Sequence, residues 1–311
     1  MRADYSLMRI FDSFIFSDEI ELLRLRLAVM GPHVDGFLVV EGDRTFTGFH
    51  RELQFPKYAD VLPYREKIIY VPVREFPETD SPWVREHFLR DQIRSHVPAE
   101  PDDIVLISDV DEIINLPEVM VHYDRERPAR IEIPCFYHFL DVQSSQKFCF
   151  TLISPFRYIE NVAVGNRNTY KSLAPSIILD RDGKNGGHFT FMYGYDTDKY
   201  EKKIGNFSHQ ELNTSHYKDH NRILKCVAWN LDLFERDQFR YKQVPLKSIF
   251  PDMADAIRHS LTALPIKAKT PRPFWEGLSR YREAYFWKRK YHQSRHIRAR
   301  MKRRCLDLIG K

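Results

Sequence analysis

The sequence has 311 residues, enough to bury a full hydrophobic core as one large domain or as one domain with extensions. Hydrophobic residues make up 43% and charged residues 29% of it, which is ordinary for a soluble globular protein, and no apolar run approaches the length of a transmembrane helix. The formal net charge is +5, but residues 280–304 carry eleven Lys or Arg and one Glu, so the rest is net −5 and does not suggest a nucleic-acid-binding body.

The first third of the chain alternates strand and helix patterns. Apolar runs predict four strands, at Arg9–Phe16, Phe37–Val40, Lys67–Val73 and Ile104–Ile107. Apolar residues at helical spacing predict a helix from Ile20 to Met30, with Asp18 and Glu21 placed as a capping box. Ser81-Pro82 marks the start of a second helix, as cap and first helical residue. This order of elements is typical of an α/β protein.

The remainder of the chain is less regular. It predicts helices at Leu116–Tyr123, Thr197–Lys203 and Arg222–Phe234, and strands at Arg130–Leu140, Phe148–Ile153 and Ser176–Leu179. Gly183–Gly187 predicts a glycine-rich turn before His188. We divide the chain into an α/β domain at residues 1–244, an irregular proline-containing connection at 245–273 and a basic extension at 274–311.

A buried strand that leads directly into carboxylates is the most informative feature of the chain. Asp109, Asp111 and Glu112 follow the apolar run Ile104–Ile107. Ligands of open α/β sheets bind beyond the carboxyl ends of such strands. Carboxylates this close repel one another unless a cation lies between them, and their hard oxygens suit Mg²⁺ or Mn²⁺ that substrate phosphates complete. The residues therefore predict a metal–diphosphate site.

Two other interpretations of this stretch stay open. An Asp-x-Asp pair also occurs by chance in solvated turns. Haloacid-dehalogenase-like phosphatases place such a pair after an apolar strand and use the first Asp, here Asp109, as a nucleophile. They usually carry Thr or Val two residues after the second Asp, where this chain has Ile113, so the pattern favours the metal site.

Several segments together resemble glycosyltransferase family 17, which includes the β-1,4-mannosyl-glycoprotein N-acetylglucosaminyltransferases. The segments that carry the resemblance, in this order, are Ile10–Leu23, Val39–Gly48, Arg85–Ile93, Ile107–Ile113, Gly186–His188 and Asn206–Glu211. The resemblance implies an α/β protein with the GT-A-type nucleotide-sugar transferase fold, in which helices flank a mixed, mostly parallel central sheet. It implies a UDP-sugar donor, UDP-N-acetylglucosamine above all, a Mn²⁺ or Mg²⁺ ion and inversion at the anomeric carbon. The alternative within this resemblance is a non-catalytic glycan- or lipid-binding protein on a transferase core.

The resemblance assigns the acidic residues and one histidine to the metal. We expect Asp111 to contact the ion directly and Asp109 to contact it or the donor ribose, with Glu112 orienting them. His188 follows two glycines, which would let its ring approach a ligand, and is the predicted third metal ligand. His209 is a weaker candidate for the same role.

Donor-binding and catalytic residues are predicted from charge and position. Donor contacts are expected from Glu41, Arg44, Arg85, Arg90 and Asp109. Arg85 and Arg90 lie five residues apart on a helix and do not share one face, so we favour Arg90. An inverting transferase needs a general base for the acceptor hydroxyl, and Glu211 and Asp141 are the candidates.

The basic extension predicts contact with a membrane surface. In residues 274–311, aromatic and aliphatic residues project onto one helical face and Arg and Lys fill most of the rest. The expected partners are a nucleotide-sugar donor and a glycan or lipid-linked acceptor, and no nucleic acid. The four cysteines form no Cys-x-x-Cys pair, and no signal peptide or membrane anchor is recognised, so we expect a cytoplasmic protein with peripheral membrane contact.

Overall fold

The computed structural model describes residues 8–236, 238–245 and 264–265. The chain divides into two compact units. Residues Met1–Phe234 and Phe239–Lys267 form the first unit, which contains every helix and strand described below. Residues Glu235–Gln238 and Ala268–Lys311 form the second, of which only residues 235, 236 and 238 are described. The predicted extension at 274–311 and most of the predicted connection at 245–273 therefore lie outside the described residues.

The described residues form ten β-strands and eight α-helices. The strands are β1 (Ile10–Phe16), β2 (Gly36–Gly42), β3 (Ile68–Val73), β4 (Ile104–Asp109), β5 (Glu112–Ile114), β6 (Ala129–Tyr137), β7 (Val142–Pro155), β8 (Ser176–Ile178), β9 (Gly186–Thr190) and β10 (Tyr241–Gln243). The helices are α1 (Ile20–Met30), α2 (Phe55–Tyr58), α3 (Pro82–His96), α4 (Leu116–His122), α5 (Tyr170–Leu173), α6 (Thr197–Asn206), α7 (Ser215–Lys218) and α8 (His220–Trp229). None of the helices in the described residues has the length and hydrophobicity that a membrane span requires.

All ten strands belong to one mixed sheet. Its order is β3-β2-β1-β4-β7-β6-β9-β5, with β10 beside β7 and β8 beside β6. Strands β3, β2, β1 and β4 are parallel, β7 is antiparallel to β4 and β6, and β9 is parallel to β6. The carboxyl ends of β1, β2, β4, β6 and β9 therefore lie along one edge of the sheet. This architecture confirms the predicted α/β fold with a mixed, mostly parallel sheet.

Helices pack on both faces of the parallel half, and the strands alternate between them. Ile104 and Leu106 of β4 belong to the core that includes α1, whereas Val105 and Ile107 belong to the core that includes Leu89 and Ile93 of α3. Alternate residues of a strand point to opposite faces, so a sheet covered on both sides needs a continuous apolar run. That requirement explains why four consecutive apolar residues precede the acidic turn.

Several predicted boundaries are wrong, for local reasons. The expected capping box fails because α1 has Glu19 as its N-cap and no side-chain cap hydrogen bond, while Asp18 forms an ion pair with Lys202. The last predicted helix stops at Trp229 because Asn230 adopts a left-handed conformation, with φ of 53°. By contrast, Ser81 is the N-cap of α3 and Pro82 its first residue, as predicted, although the Ser81 side chain makes no cap hydrogen bond.

The predicted glycine-rich turn includes the start of a strand. Gly186 and Gly187 are the first two residues of β9, which pairs with β5. Gly186 has φ of 125°, and a Cβ atom there would lie 2.1 Å from the carbonyl oxygen of Ile113. Only glycine allows this close approach, and it brings β9 and His188 beside the acidic turn.

Candidate functional site

The acidic turn, residues Ser108–Glu112, connects β4 to β5 at the carboxyl edge of the sheet. Ile15 of β1 is in register with Asp109, and His188 of β9 is in register with Glu112. The backbone N–H of Phe189 donates to the carbonyl oxygen of Asp111 at 2.8 Å. Strands from both halves of the sheet therefore hold the turn in place.

A buried arginine on α1 binds the backbone of the acidic turn. Arg26 of α1 is fully buried, and its Nε and Nη2 donate to the Asp12 carboxylate at 2.7 and 2.5 Å. Nη1 donates to the carbonyl oxygens of Asp109 and Glu112 at 2.8 Å each, and Nη2 also donates to the Ser108 hydroxyl at 2.6 Å. All five N–H groups of the guanidinium are thus used. The backbone of the acidic turn is fixed by one side chain that the core encloses.

Asp109 is held by two arginines. Its Oδ1 accepts from Arg90 at 3.0 Å and its Oδ2 from Arg167 at 2.6 Å. Burial acts to raise the pKa of Asp109, but Arg167 and Arg90 outweigh it and lower that pKa, so the group is ionised. Each oxygen of this carboxylate therefore accepts a hydrogen bond from one arginine.

The two arginines are themselves positioned by one loop. Arg90 donates to the carbonyl oxygen of Gly165 at 2.7 Å, and the N–H of Gly165 donates to Asp91 at 2.8 Å. A Cβ atom on Gly165 would lie 2.1 Å from the carbonyl oxygen of His87, so the loop packs directly on α3. Arg167, two residues further on, thereby reaches the acidic turn.

Asp111 lies between two other cations. Its Oδ1 is 3.5 Å from His188 Nε2 and its Oδ2 is 3.5 Å from Lys203 Nζ on α6. Burial acts to raise the pKa of Asp111, but His188 and Lys203 outweigh it and hold that pKa well below its usual range. Burial acts to lower the pKa of His188, but Asp111 reverses this and raises it to about 10. Asp111 is thus ionised and His188 is protonated when no other cation lies between them.

Three groups meet at a distance that suits a metal ion. One ligand atom each from Asp111, Glu112 and His188 lie within 4.8 Å of one another. Glu112 is already engaged, because it accepts from Thr151 at 2.6 Å and from Arg167 at 2.5 Å. Asp111 and His188 are therefore best placed to hold an ion, and one or two protein ligands completed by phosphates are enough for Mg²⁺. The residues fit a divalent ion, provided that it displaces the His188 proton and competes with Lys203.

Of the five predicted donor-binding residues, the structure brings Asp109 and Arg90 into this group, but not Glu41, Arg44 or Arg85. Glu41 is fully buried and accepts from Gln54 and Phe55 backbone N–H groups, from Tyr70 and from Arg51. Ligand contact by Glu41 would therefore require it to give up a protein partner. Arg85 donates to the carbonyl oxygens of Phe46 and Thr79, where it supports the loop after β2, and Arg44 is exposed on that loop.

The two predicted bases occupy different environments. Asp141 is buried immediately before β7 and accepts from Gln243 at 2.5 Å. Glu211 is exposed, and its Oε1 is 2.7 Å from Nδ1 of His209. Burial acts to raise the pKa of Glu211, but the hydrogen bond from His209 outweighs it and lowers that pKa. His209, the weaker metal candidate, therefore has a carboxylate partner outside the acidic turn.

Sequence reasoning missed Arg26, Arg167 and Lys203. Arg26 did carry a signal, because it interrupts an apolar helix face, just as its partner Asp12 interrupts the apolar strand β1. A charged residue in each of two core elements indicates a buried pair. Arg167 and Lys203 carried no such signal, since they lie 58 and 92 positions after Asp109 and Asp111 in a polar loop and a polar helix.

Comparison with known proteins gives a family match over most of the chain. The model of glycosyltransferase family 17 matches residues 2–268. The β-1,4-mannosyl-glycoprotein 4-β-N-acetylglucosaminyltransferases of Rattus norvegicus and Homo sapiens are each 30% identical to this chain over 115 residues. That match covers 34% of this chain but only 21% and 22% of the two relatives.

Two solved structures are similar at low identity. A crystal structure of 4-diphosphocytidyl-2C-methyl-D-erythritol synthase is 11% identical, with a TM-score of 0.37, and the match covers 55% of this chain and 88% of that one. The glycosyltransferase GlyE of Streptococcus pneumoniae is 10% identical, with a TM-score of 0.29, over 53% of this chain and 38% of that one. At these TM-scores neither likeness adds to the argument.

Proposed function

This chain belongs to glycosyltransferase family 17, and from that premise we propose that it transfers N-acetylglucosamine from UDP-N-acetylglucosamine to a glycan or glycolipid acceptor, with inversion at the anomeric carbon. The observation that carries the proposal is the convergence of Asp111, Glu112 and His188 at the carboxyl edge of the sheet. Ligands of open α/β sheets bind at this edge. The names of the two mammalian relatives support the choice of sugar.

Asp111 and His188 are the residues we assign to a Mn²⁺ or Mg²⁺ ion. When bound there, the ion would stabilise the negative charge that develops on the departing diphosphate. Asp109 is proposed to act on the ribose or on a water molecule bound to the ion. Its two arginine partners keep it ionised and hold its position.

Basic side chains around the turn suit a diphosphate leaving group. Lys203 lies 3.5 Å from Asp111, and Arg167 spans Asp109 and Glu112 with its two terminal nitrogens. Preorganised cations in a partly buried site stabilise charge that appears in the transition state without reorganisation. We assign Lys203 and Arg167 to the diphosphate, and Arg90 to the support of Asp109.

A base must remove the proton of the acceptor hydroxyl. Of the two carboxylates predicted for this role, Glu211 is accessible and Asp141 is buried against Gln243. The exposed position is where an acceptor can arrive, so we place deprotonation at the turn that carries Glu211. We propose that Glu41 and Arg85 act on the donor indirectly, by holding the segment that follows β2, and that the exposed Arg44 on this segment contacts the donor.

The test is donor turnover by the purified chain. With Mn²⁺ and UDP-N-acetylglucosamine, we expect release of UDP, and with octyl β-D-mannopyranoside we expect a glycosylated product in mass spectrometry. EDTA should stop both, and added Mn²⁺ should restore them. UDP-glucose and UDP-galactose serve as matched donors for sugar specificity. If none of these donors is turned over, the proposed function is wrong.

The phosphatase alternative has no observation in its favour. The family model that matches residues 2–268 describes glycosyltransferases, and the hydrogen bonds from Arg90 and Arg167 lower the nucleophilicity of the Asp109 oxygens that would attack a phosphate. A failure to hydrolyse p-nitrophenyl phosphate, together with UDP release from a nucleotide sugar, would separate the two hypotheses.

A further inference from the structure

An exposed aromatic and polar group is formed by α3 and the turn that follows α6. We name it the aromatic rim and define it as Trp83, His209 and Glu211. Trp83 of α3 is 38% exposed, and its ring meets the His209 ring edge to face, with centroids 4.7 Å apart and planes at 88°. The side chains of His209 and Glu211 are 53% and 63% exposed. The rim therefore presents an indole, an imidazole and a carboxylate together to solvent.

A chain of hydrogen bonds joins the rim to the acidic turn. Ser208, next to His209, donates to Glu86, and the other oxygen of Glu86 accepts from Arg90 at 2.8 Å. Arg90 in turn donates to Asp109 at 3.0 Å. Trp83 and Glu86 lie three residues apart on α3, so they are neighbours on its surface. Three hydrogen bonds therefore connect Ser208, the residue before His209, to Asp109 of the acidic turn.

The hydrogen bond within the rim defines which histidine nitrogen is available. An ionised carboxylate only accepts, so Nδ1 of His209 carries the proton that Glu211 Oε1 receives at 2.7 Å. In the neutral ring, Nε2 is then unprotonated and can take a proton. Nε2 has no hydrogen-bond partner among the residues that the structure describes.

We propose that the aromatic rim is the acceptor subsite, in which His209 is the general base, Glu211 orients its ring and the exposed indole of Trp83 packs against a sugar ring of the acceptor. This inference rests on the proposed function and names the part of the site that takes the acceptor. The ligand it fits is a glycan with an unsubstituted hydroxyl. The apolar C–H face of a pyranose suits an indole face, whose quadrupole is negative.

The geometry favours His209 over Glu211 as the proton acceptor. The hydrogen bond from His209 occupies Glu211 and lowers its pKa, which makes that carboxylate a weaker base. An imidazole held by a carboxylate at Nδ1 is oriented to accept at Nε2, and the partner stabilises the imidazolium that forms. Glu211 on the same turn contacts His209 directly, whereas Glu86 and His87 on α3 contact its neighbours Ser208 and Trp83.

The proposed step moves one proton to His209 and one sugar to the acceptor. His209 Nε2 takes the proton of the acceptor hydroxyl, whose oxygen forms a bond to the anomeric carbon of the donor sugar. The bond between that carbon and the diphosphate oxygen breaks, and its electron pair leaves with the diphosphate. The imidazolium then returns the proton to solvent.

The kinetics of sugar transfer test whether His209 is the general base. Transfer from UDP-N-acetylglucosamine to octyl β-D-mannopyranoside should fall at least about 100-fold in kcat for His209→Gln, because general-base catalysis is worth about 10²–10⁴-fold. The KM for the donor should stay within about twofold, as expected for a residue that acts on the acceptor. His122→Gln is the matched control, since His122 is 56% exposed and pairs with Glu118 on α4. A His209→Gln variant that keeps kcat within threefold of the control overturns the assignment.

The pH profile separates the base from its orienting partner. Wild-type kcat/KM should show an acid limb, a fall as the pH is lowered, because only the neutral imidazole can accept the proton of the acceptor hydroxyl. Glu211→Gln should lower kcat by about tenfold or more and move this limb to lower pH, since the carboxylate no longer stabilises the imidazolium. An acid limb that persists in His209→Gln, with a larger loss of kcat in Glu211→Gln than in His209→Gln, would make Glu211 the base instead.

Acceptor binding tests Trp83 independently of turnover. Trp83→Ala should raise the KM for the mannoside about tenfold with little change in kcat, and Trp83→Phe should recover part of the loss. Tyr158→Ala is the matched control, because Tyr158 is 40% exposed elsewhere on the surface. Titration of the mannoside by NMR with UDP and Mn²⁺ present should give binding that Trp83→Ala weakens. Equal binding in Trp83→Ala and Tyr158→Ala would rule out the subsite.

The two proposals fail in different ways. If the wild type turns over no nucleotide sugar, the proposed function is wrong, and binding of the mannoside to the rim still decides whether the subsite exists. If the wild type transfers the sugar but neither His209→Gln nor Trp83→Ala differs from its control, only the rim assignment is wrong.

Discussion

The acidic turn and the aromatic rim are connected by hydrogen bonds but differ in almost every physical respect. In the turn, Asp109, Asp111 and Glu112 are at least partly buried, and each is paired with a cation. In the rim, Trp83, His209 and Glu211 are exposed and make few contacts. Fixed geometry suits a donor whose diphosphate is the same in every reaction, and exposure suits an acceptor that must enter and leave. In the site that we propose, the donor side is therefore fixed by buried ion pairs and the acceptor side is open to solvent.

Asp111→Asn should have the largest effect and would test whether the turn carries the chemistry. Removing the charge leaves His188 and Lys203 without their shared partner and removes the main proposed metal ligand. We expect UDP release to fall by about 10³-fold or more, in line with the loss of a group that stabilises transition-state charge. Asp102→Asn is the control, because Asp102 is an exposed carboxylate paired with Arg157. Equal rates in the two variants would contradict the assignment of Asp111.

Arg26→Met should have the next largest effect, on stability as well as on rate. It leaves Asp12 buried without a partner and removes the donors for the carbonyl oxygens of Asp109 and Glu112. Breaking a buried ion pair costs about 3–5 kcal/mol, which chemical denaturation would measure as a lower free energy of unfolding.

The double variant Asp12→Leu/Arg26→Met separates the two roles of this arginine. Replacement of both partners by apolar groups should recover most of the stability. The backbone of the acidic turn would still lack its donors, so UDP release should stay low. Full recovery of both stability and turnover would mean that Arg26 has only a structural role.

Arg167→Met should have the smallest effect of these, at about tenfold on the donor KM, and would test whether the cations around the turn contact the donor. Arg167→Lys keeps the charge and should lose less, although Lys cannot span Asp109 and Glu112 as a planar guanidinium does. The matched control is Arg157→Met, since Arg157 also spans two carboxylates, Asp102 and Glu126, at the surface. If Arg167→Met and Arg167→Lys both retain the wild-type KM for the donor, Arg167 only neutralises the negative charge of the acidic turn.

Local sequence determined much of the framework of this protein. The apolar run Ile104–Ile107 specified a strand that is covered on both faces. The acidic residues that follow it specified a group of carboxylates at the carboxyl end of that strand. The predicted start of α3 at Ser81-Pro82 is likewise confirmed. Each of these features depends on residues within a few positions of one another, so a single sequence contains the information.

Only the tertiary structure decided which distant side chains meet the acidic turn. Arg26, Arg167, His188 and Lys203 arrive on a helix, a loop, a strand and another helix, and no local pattern sets the distances between them. Sheet register brings His188 opposite Glu112, and the close packing at Gly165 sets the loop that carries Arg167. The chemistry of an isolated carboxylate can be read from its residue type. Its charge state and free ligand sites depend on long-range packing, because burial and neighbouring cations shift the energy of the ionised form.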